Sequence, residues 1–331
     1  MSFLTKSFDN GRIKLKNRLV MPPMATAKAH NDGKVSREVL DYYHEKSKGG
    51  YISLIIIEHS YVSEDGKASL NQLSVADDSC VEGLKQLAEV IHKNGSKAVM
   101  QLNHAGSLAR KEVTVNTVGP SHVLNPRKLN DTIPRELSKD DIRGLTARYK
   151  DSALRAKEAG FDGVEIHSAH GYLLNQFLSP LTNKRTDEYG NDIYGRVKFH
   201  LEVIKAVRDA VGDDYPVFLR LGASDYMEGG TTIEDSKIAS KLFEEAGVNV
   251  IDISGGMCGF ILPDNKEQGY FASLSEAVKS VVGIPVILTG GITDASAADK
   301  FIQEGKADFI GVGRAVFADS DWAKNAMESL Q

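Results

Sequence analysis

Cysteine is scarce: Cys80 and Cys258 are the only two in 331 residues and lie far apart. That leaves nothing for a disulfide framework or a cysteine cluster, and a reducing, cytoplasmic setting is expected. Basic charge is not in excess. Forty Lys and Arg against 45 Asp and Glu give a net charge of −5, which excludes an electrostatic nucleic-acid binder. No apolar run approaches the ~20 residues of a membrane span. The opening MSFLTKSFDN lacks the apolar core of a signal peptide. No repeat, low-complexity tract or linker stands out, so residues 1–331 read as one domain acting without membrane or nucleic acid.

What is present is a rhythm of short apolar, β-branched runs with helical patterns between them: Leu19–Met21, Leu54–Ile57, Lys97–Leu102, Gly163–Ile166, Val217–Leu221, Val250–Ile253, Pro285–Leu288 and Phe309–Val312. Eight such runs predict the parallel strands of an α/β fold closed as a (β/α) TIM barrel; an open doubly wound sheet usually has fewer. Ser138 with Asp141, and Thr232 with Asp235, have the spacing of helix-capping boxes. The first of these helices is expected to stop near Gly160. Phe8–Lys16 alternates around Asn10-Gly11 and predicts a hairpin that plugs one end of the barrel. The polar stretch from Asn103 to Leu137, after the third strand, is long enough to be a lid or binding loop.

Two segments near the C-terminus suit a phosphate. Leu288-Thr289-Gly290-Gly291-Ile292-Thr293 follows the seventh strand and opens a helix; Gly311-Val312-Gly313-Arg314-Ala315 follows the eighth. Glycines let backbone amides approach an anion, a helix start adds a favourable dipole, and Arg314 offers a rigid fork of donors. Taken singly, the glycines could be tight turns and Arg314 a surface ion-pair partner. The position after strands seven and eight is one where barrels bind phosphate.

Other strand ends carry chemistry too. Gln101 presents donor and acceptor to a heterocycle edge. Arg220 needs an anionic partner, either a ligand or a structural ion pair with Glu165 or Asp252. Ser254-Gly255-Gly256 offers a close-approach loop, and Pro22-Pro23-Met24-Ala25 a rigid apolar surface for a flat ring. His167, His170 and Tyr172 crowd the end of the fourth strand, where two imidazoles and a phenol can polarise a carbonyl and deliver a proton. Zinc would need a third ligand, for which only His59 offers itself, so no metal is expected. Backbone-satisfied histidines and a core tyrosine remain alternatives.

The run HSAHGYLLNQFLSPLTNKRTDEYG from His167 to Gly190, with NRLVMPPM, QLNHAG, RLGASDY, TGGIT and GVGRA in order, resembles the old yellow enzyme family of FMN-dependent ene-reductases over nearly the whole chain. The resemblance implies FMN across the barrel mouth, with NADH or NADPH as reductant and a small enone-type substrate. Pro23, Met24 and Ala25 would lie against the flavin, Gln101 and Arg220 at its polar end, Ser254 nearby, and Gly290, Gly291, Gly313 and Arg314 on the phosphate. His167 and His170 would bind the substrate oxygen, and Tyr172 would be the proton donor. A homo-oligomer is a family expectation. Ala25 stands where relatives carry cysteine or threonine, and His59 where they carry a small residue. The sequence ends at Gln331 without the cysteine-rich segment and second nucleotide domain of larger relatives, and Ala323–Gln331 contains no arginine to reach a neighbouring site; neither an iron–sulfur cluster nor an internal electron relay is expected. The rival reading is a flavin-free phosphate-binding isomerase or lyase, which wants a lysine or paired carboxylates at strand ends. A non-catalytic flavin binder is a third.

Overall fold

The computed structural model describes residues 2–262 and 264–330; Met1, Pro263 and Gln331, part of the expected 1–331 domain, lie outside the described residues. Eight strands form the barrel: β1 (Leu19–Met21), β2 (Leu54–Ile56), β3 (Lys97–Asn103), β4 (Gly163–Ser168), β5 (Val217–Gly222), β6 (Val250–Ser254), β7 (Val286–Thr289) and β8 (Phe309–Gly311). Each pairs in parallel with the next, and β8 returns to β1 through Ile310 opposite Leu19, closing the ring. Helices α1 (Arg37–Ser47), α2 (Val81–Lys93), α3 (Lys139–Glu158), α4 (Lys198–Val211), α5 (Ile233–Glu245), α6 (Ala272–Lys279) and α7 (Ala295–Gln303) cover its outside. The β-branched runs became strands because both faces are buried, one against helices and one inside the barrel.

Both capping boxes form: Ser138 and Asp141 start α3, and Thr232 and Asp235 start α5. Gly160, at φ +85°, follows the end of α3. Phe8–Asp9 pairs antiparallel with Lys14–Leu15. Ile13 and Leu15 from this hairpin pack with Val20, Leu54, Val99, Phe218, Val250, Ile287 and Phe309, the apolar lower layer of the barrel interior. The segment after β3 is pinned rather than loose: Val118–Gly119 pairs with Arg135–Glu136, and the side chains of Asn125 and Asn130 are buried and donate to Gly171 O and Ala109 O.

Candidate active site

Alternation along the strands turns Gln101, Glu165, His167, Arg220 and Asp252 inward above the apolar layer, and the barrel register sets them side by side. Arg220 lies opposite His167 on one flank and Asp252 on the other, while Gln101 lies opposite Glu165. Arg220 Nε is 3.4 Å from Asp252 Oδ2, and Gln101 Nε2 donates to Glu165 Oε1 at 2.7 Å. Thr289 Oγ1 donates to Asp252 Oδ1 at 3.1 Å. Burial, then the neighbouring Asp252, pushes the Glu165 carboxyl well above its usual range, so Glu165 keeps its proton; burial raises Asp252 as well, opposed by the charge of Arg220. Arg220 Nε, Glu165 Oε2 and Asp252 Oδ2 remain buried without a hydrogen-bond partner.

Above this layer opens a cavity of about 830 Å³. Its lining unites every site residue read from the sequence: Pro23, Met24, Ala25, Gln101, His167, His170, Tyr172, Arg220, Ser254, Gly290, Gly291, Gly313 and Arg314. At one end the backbone amides of Gly290, Gly291, Ile292 and Gly313 find no acceptor among the described residues. Arg314 forms no ion pair among those residues and donates only to the Tyr270 hydroxyl, at 3.2 Å. The expected helix start contributes less than the glycines. Asp294 caps α7 by accepting from Ala297 N, and Gln268 Oε1 takes Thr293 N and Asp294 N. Free amides and an unpaired guanidinium therefore sit in the turns themselves, and they fit a phosphate.

At the other end, the His167 and His170 rings stand 5.1 Å apart at 86°, and Tyr172 lies 5.1 Å from His167. His170 adopts φ +60°, the left-handed conformation that turns its ring into the mouth, and its Nε2 shares a 2.7 Å hydrogen bond with Ser254 Oγ. Ser254 thus lines the cavity while its hydroxyl serves His170. His167 Nδ1 is buried without a partner. Burial, then the charge of Arg220, holds both imidazoles well below the ordinary histidine range, so they are neutral; burial raises the Tyr172 phenol, so it is protonated.

His59 is a third imidazole on this wall, 5.3 Å from the Tyr172 ring. Gln72 fixes its tautomer. Gln72 Oε1 accepts from Ala68 N, which identifies Nε2 as the amide NH₂; that group donates to His59 O at 3.0 Å and meets His59 Nδ1 at 2.8 Å. Nδ1 is therefore an acceptor, and neutral His59 carries its proton on Nε2. Next to the apolar corner, Glu58 accepts from Thr26 Oγ1 at 2.6 Å and Thr26 N at 3.1 Å, which holds Ala25 in place. Sequence reasoning missed Gln72, Tyr270 and Arg127, a further cation lining the cavity. They come from loops, where no strand periodicity marks a side chain as inward-facing.

These features define a barrel built to hold a flat, phosphorylated cofactor beside a wall of neutral hydrogen-bond donors. Comparison with known sequences makes the assignment specific: the chain belongs to the NADH:flavin oxidoreductase / NADH oxidase family, whose model matches residues 4–331. The likeness to the old yellow enzymes read from the motifs holds at that level. NADH oxidase of Thermoanaerobacter brockii is 43% identical over 341 residues, covering 100% of this chain and 52% of that protein. The chain thus spans about half the length of that relative. NADPH dehydrogenase of Bacillus licheniformis is 38% identical over 321 residues, covering 96% of this chain and 92% of that enzyme. Among solved structures, 2-naphthoyl-CoA reductase in complex with 2-naphthoyl-CoA superposes with a TM-score of 0.93 at 28% identity, over 99% of this chain and 52% of that one.

Proposed function

We propose that residues 1–331 form a single FMN-binding domain that uses NADH or NADPH to reduce activated C=C bonds of α,β-unsaturated carbonyl or nitro compounds. The observation that carries this reading is the meeting of His167, His170 and Tyr172 in the same cavity as the phosphate seat. The names of the bacterial relatives, an NADH oxidase and an NADPH dehydrogenase, support the reductant.

The residues present fit FMN. Gly290, Gly291, Gly313 and Arg314 would hold its phosphate, Pro23, Met24 and Ala25 would face its ring, and Gln101 and Arg220 would meet its polar edge, Arg220 with a buried Nε that makes no hydrogen bond. When bound, FMN supplies the redox chemistry, accepting hydride from the nicotinamide and passing it to the β-carbon of the acceptor. The protein supplies placement. In the tautomer protonated on Nδ1, His170 would accept from Ser254 Oγ at Nε2 and offer Nδ1–H to a substrate oxygen, with His167 as the second donor. Because both rings stay neutral, they stabilise the enolate-like charge of the transition state without surrendering a proton. Tyr172 retains its proton until the α-carbon needs it. The positive charge of Arg220 favours negative charge developing anywhere in the mouth.

An anaerobic visible spectrum tests the reading. Flavin bands should bleach on addition of NADH or NADPH and return with 2-cyclohexenone. A protein that stays colourless after incubation with FMN would refute it.

A further inference from the structure

Arg127 is a half-buried cation without a counter-ion. It forms no ion pair among the described residues, and the two acidic groups that act on it, Tyr172 and Cys258, are both kept protonated by burial. Such a charge is costly unless something pairs with it. Yet the chain builds a seat for it. Asn125 accepts from Arg127 N at 3.0 Å and donates to Gly171 O at 3.2 Å, tying the loop to the turn after β4. Arg127 Nη1 donates to His170 O at 2.6 Å. Its stem crosses Gly171, where a Cβ would come within 2.9 Å of Arg127 Cδ, and its guanidinium covers Gly259, where a Cβ would lie 2.8 Å from Nη2. Side chains at either glycine would dislodge it.

One of five guanidinium donors is used. The others meet no protein acceptor among the described residues, and the side chain lines the cavity. Beside it the half-exposed Phe260 ring packs against His170 at 5.8 Å, with Ile261 adding a second apolar surface. A planar fork of free donors next to an apolar wall matches a carboxylate or phosphate carried on an apolar or aromatic body.

We propose that Arg127 is an anion subsite at the mouth of the cavity, binding a carboxylate or phosphate group of a reactant whose oxygen lies at His167 and His170 or whose nicotinamide approaches the same wall. This rests on the reductase reading above. The anion has two sources: the acceptor itself, or the phosphates of NADH.

Arg127→Gln and Arg127→Lys separate them. For the acceptor, kcat/KM is compared between 4-carboxycinnamaldehyde and cinnamaldehyde. For the reductant, the rate of flavin bleaching is compared between NADH and the phosphate-free donor 1-benzyl-1,4-dihydronicotinamide. A tenfold or greater fall in the first ratio in Arg127→Gln, partly restored in Arg127→Lys, assigns the subsite to the acceptor. The same fall in the second ratio assigns it to the dinucleotide. Ratios cancel any loss common to both reactants, so both staying within threefold of wild type would overturn the proposal. If wild type turns over neither aldehyde, the reductase reading fails by itself. Calorimetric dissociation constants for the two aldehydes, and for NADH against 1-benzyl-1,4-dihydronicotinamide, then decide Arg127: a preference for the anionic member of either pair that Arg127→Gln abolishes supports the subsite, and equal binding within both pairs overturns it.

Discussion

Glu58→Gln probes the electrostatics beneath the Ala25–Thr26 corner. Burial, opposed by the two bonds from Thr26, lifts the Glu58 carboxyl from its ordinary 4.5 to about 7. Below pH 4.5 the folded and unfolded chains both hold this proton, and Glu58 adds no pH dependence. Between 4.5 and 7 the unfolded chain releases it while the folded chain retains it, so stability falls as pH rises. The loss extends over about 2.5 pH units at about 1.36 kcal/mol each, or about 3 kcal/mol in all. Glutamine carries no charge at any pH and escapes it. Urea unfolding of wild type and variant, both saturated with FMN, should therefore shift by about 3 kcal/mol in the variant's favour between pH 4.5 and pH 8. Taking the difference between the two proteins removes the other titrating groups. A difference constant to within about 1 kcal/mol would refute the reasoning: it would mean that the Thr26 hydrogen bonds cancel desolvation and that Glu58 ionises in the fold at its ordinary pH.

Tyr172→Phe should slow reoxidation of the reduced flavin by 2-cyclohexenone by roughly a hundredfold while changing its reduction by NADH little; stopped-flow traces with equal losses in both halves would contradict the proton-donor role. Burial lowers His59 to about 4, so ¹⁵N spectra should show it neutral and protonated on Nε2 from pH 5 to 9; a titration near 6.5 would undo the burial argument, and a proton on Nδ1 the tautomer assignment. Arg314→Ala should weaken FMN by roughly tenfold to a hundredfold, the worth of a charge-assisted hydrogen bond. Riboflavin, which lacks the phosphate, should be affected little, and equal weakening of the two in a fluorescence titration would move the phosphate seat elsewhere.

The barrel was legible because each strand is a short β-branched run buried on both faces, a pattern that survives without knowledge of its neighbours. Gln101, Arg220 and His167 were legible for the same reason, as polar residues breaking apolar runs at strand ends. The open choice for Arg220, ligand partner or internal ion pair, has a mixed answer: its Nε lies within ion-pair distance of Asp252, yet makes no hydrogen bond. The orientation of His59 was hidden because Gln72 reaches it from a loop 13 residues on. Arg127 was hidden because its setting depends on two glycines, Gly171 and Gly259, from different loops. The helix after Gly290-Gly291 was visible, but not that Asp294 takes the Ala297 amide of its first turn and Gln268 the amides of Thr293 and Asp294 just ahead of it.

The interior of the barrel is divided by height, with Val20, Leu54, Val99, Phe218, Val250, Ile287 and Phe309 against the hairpin and Gln101, Glu165, His167, Arg220 and Asp252 above them. Mutational load is divided with it. Changes in the lower layer fall on thermal tolerance and leave the donors of the mouth where they are, whereas changes in the loops above redraw the pocket without opening the floor. A library for new acceptors can therefore be confined to the upper loops, with the lower layer held in reserve for stabilising substitutions that offset what the loops lose.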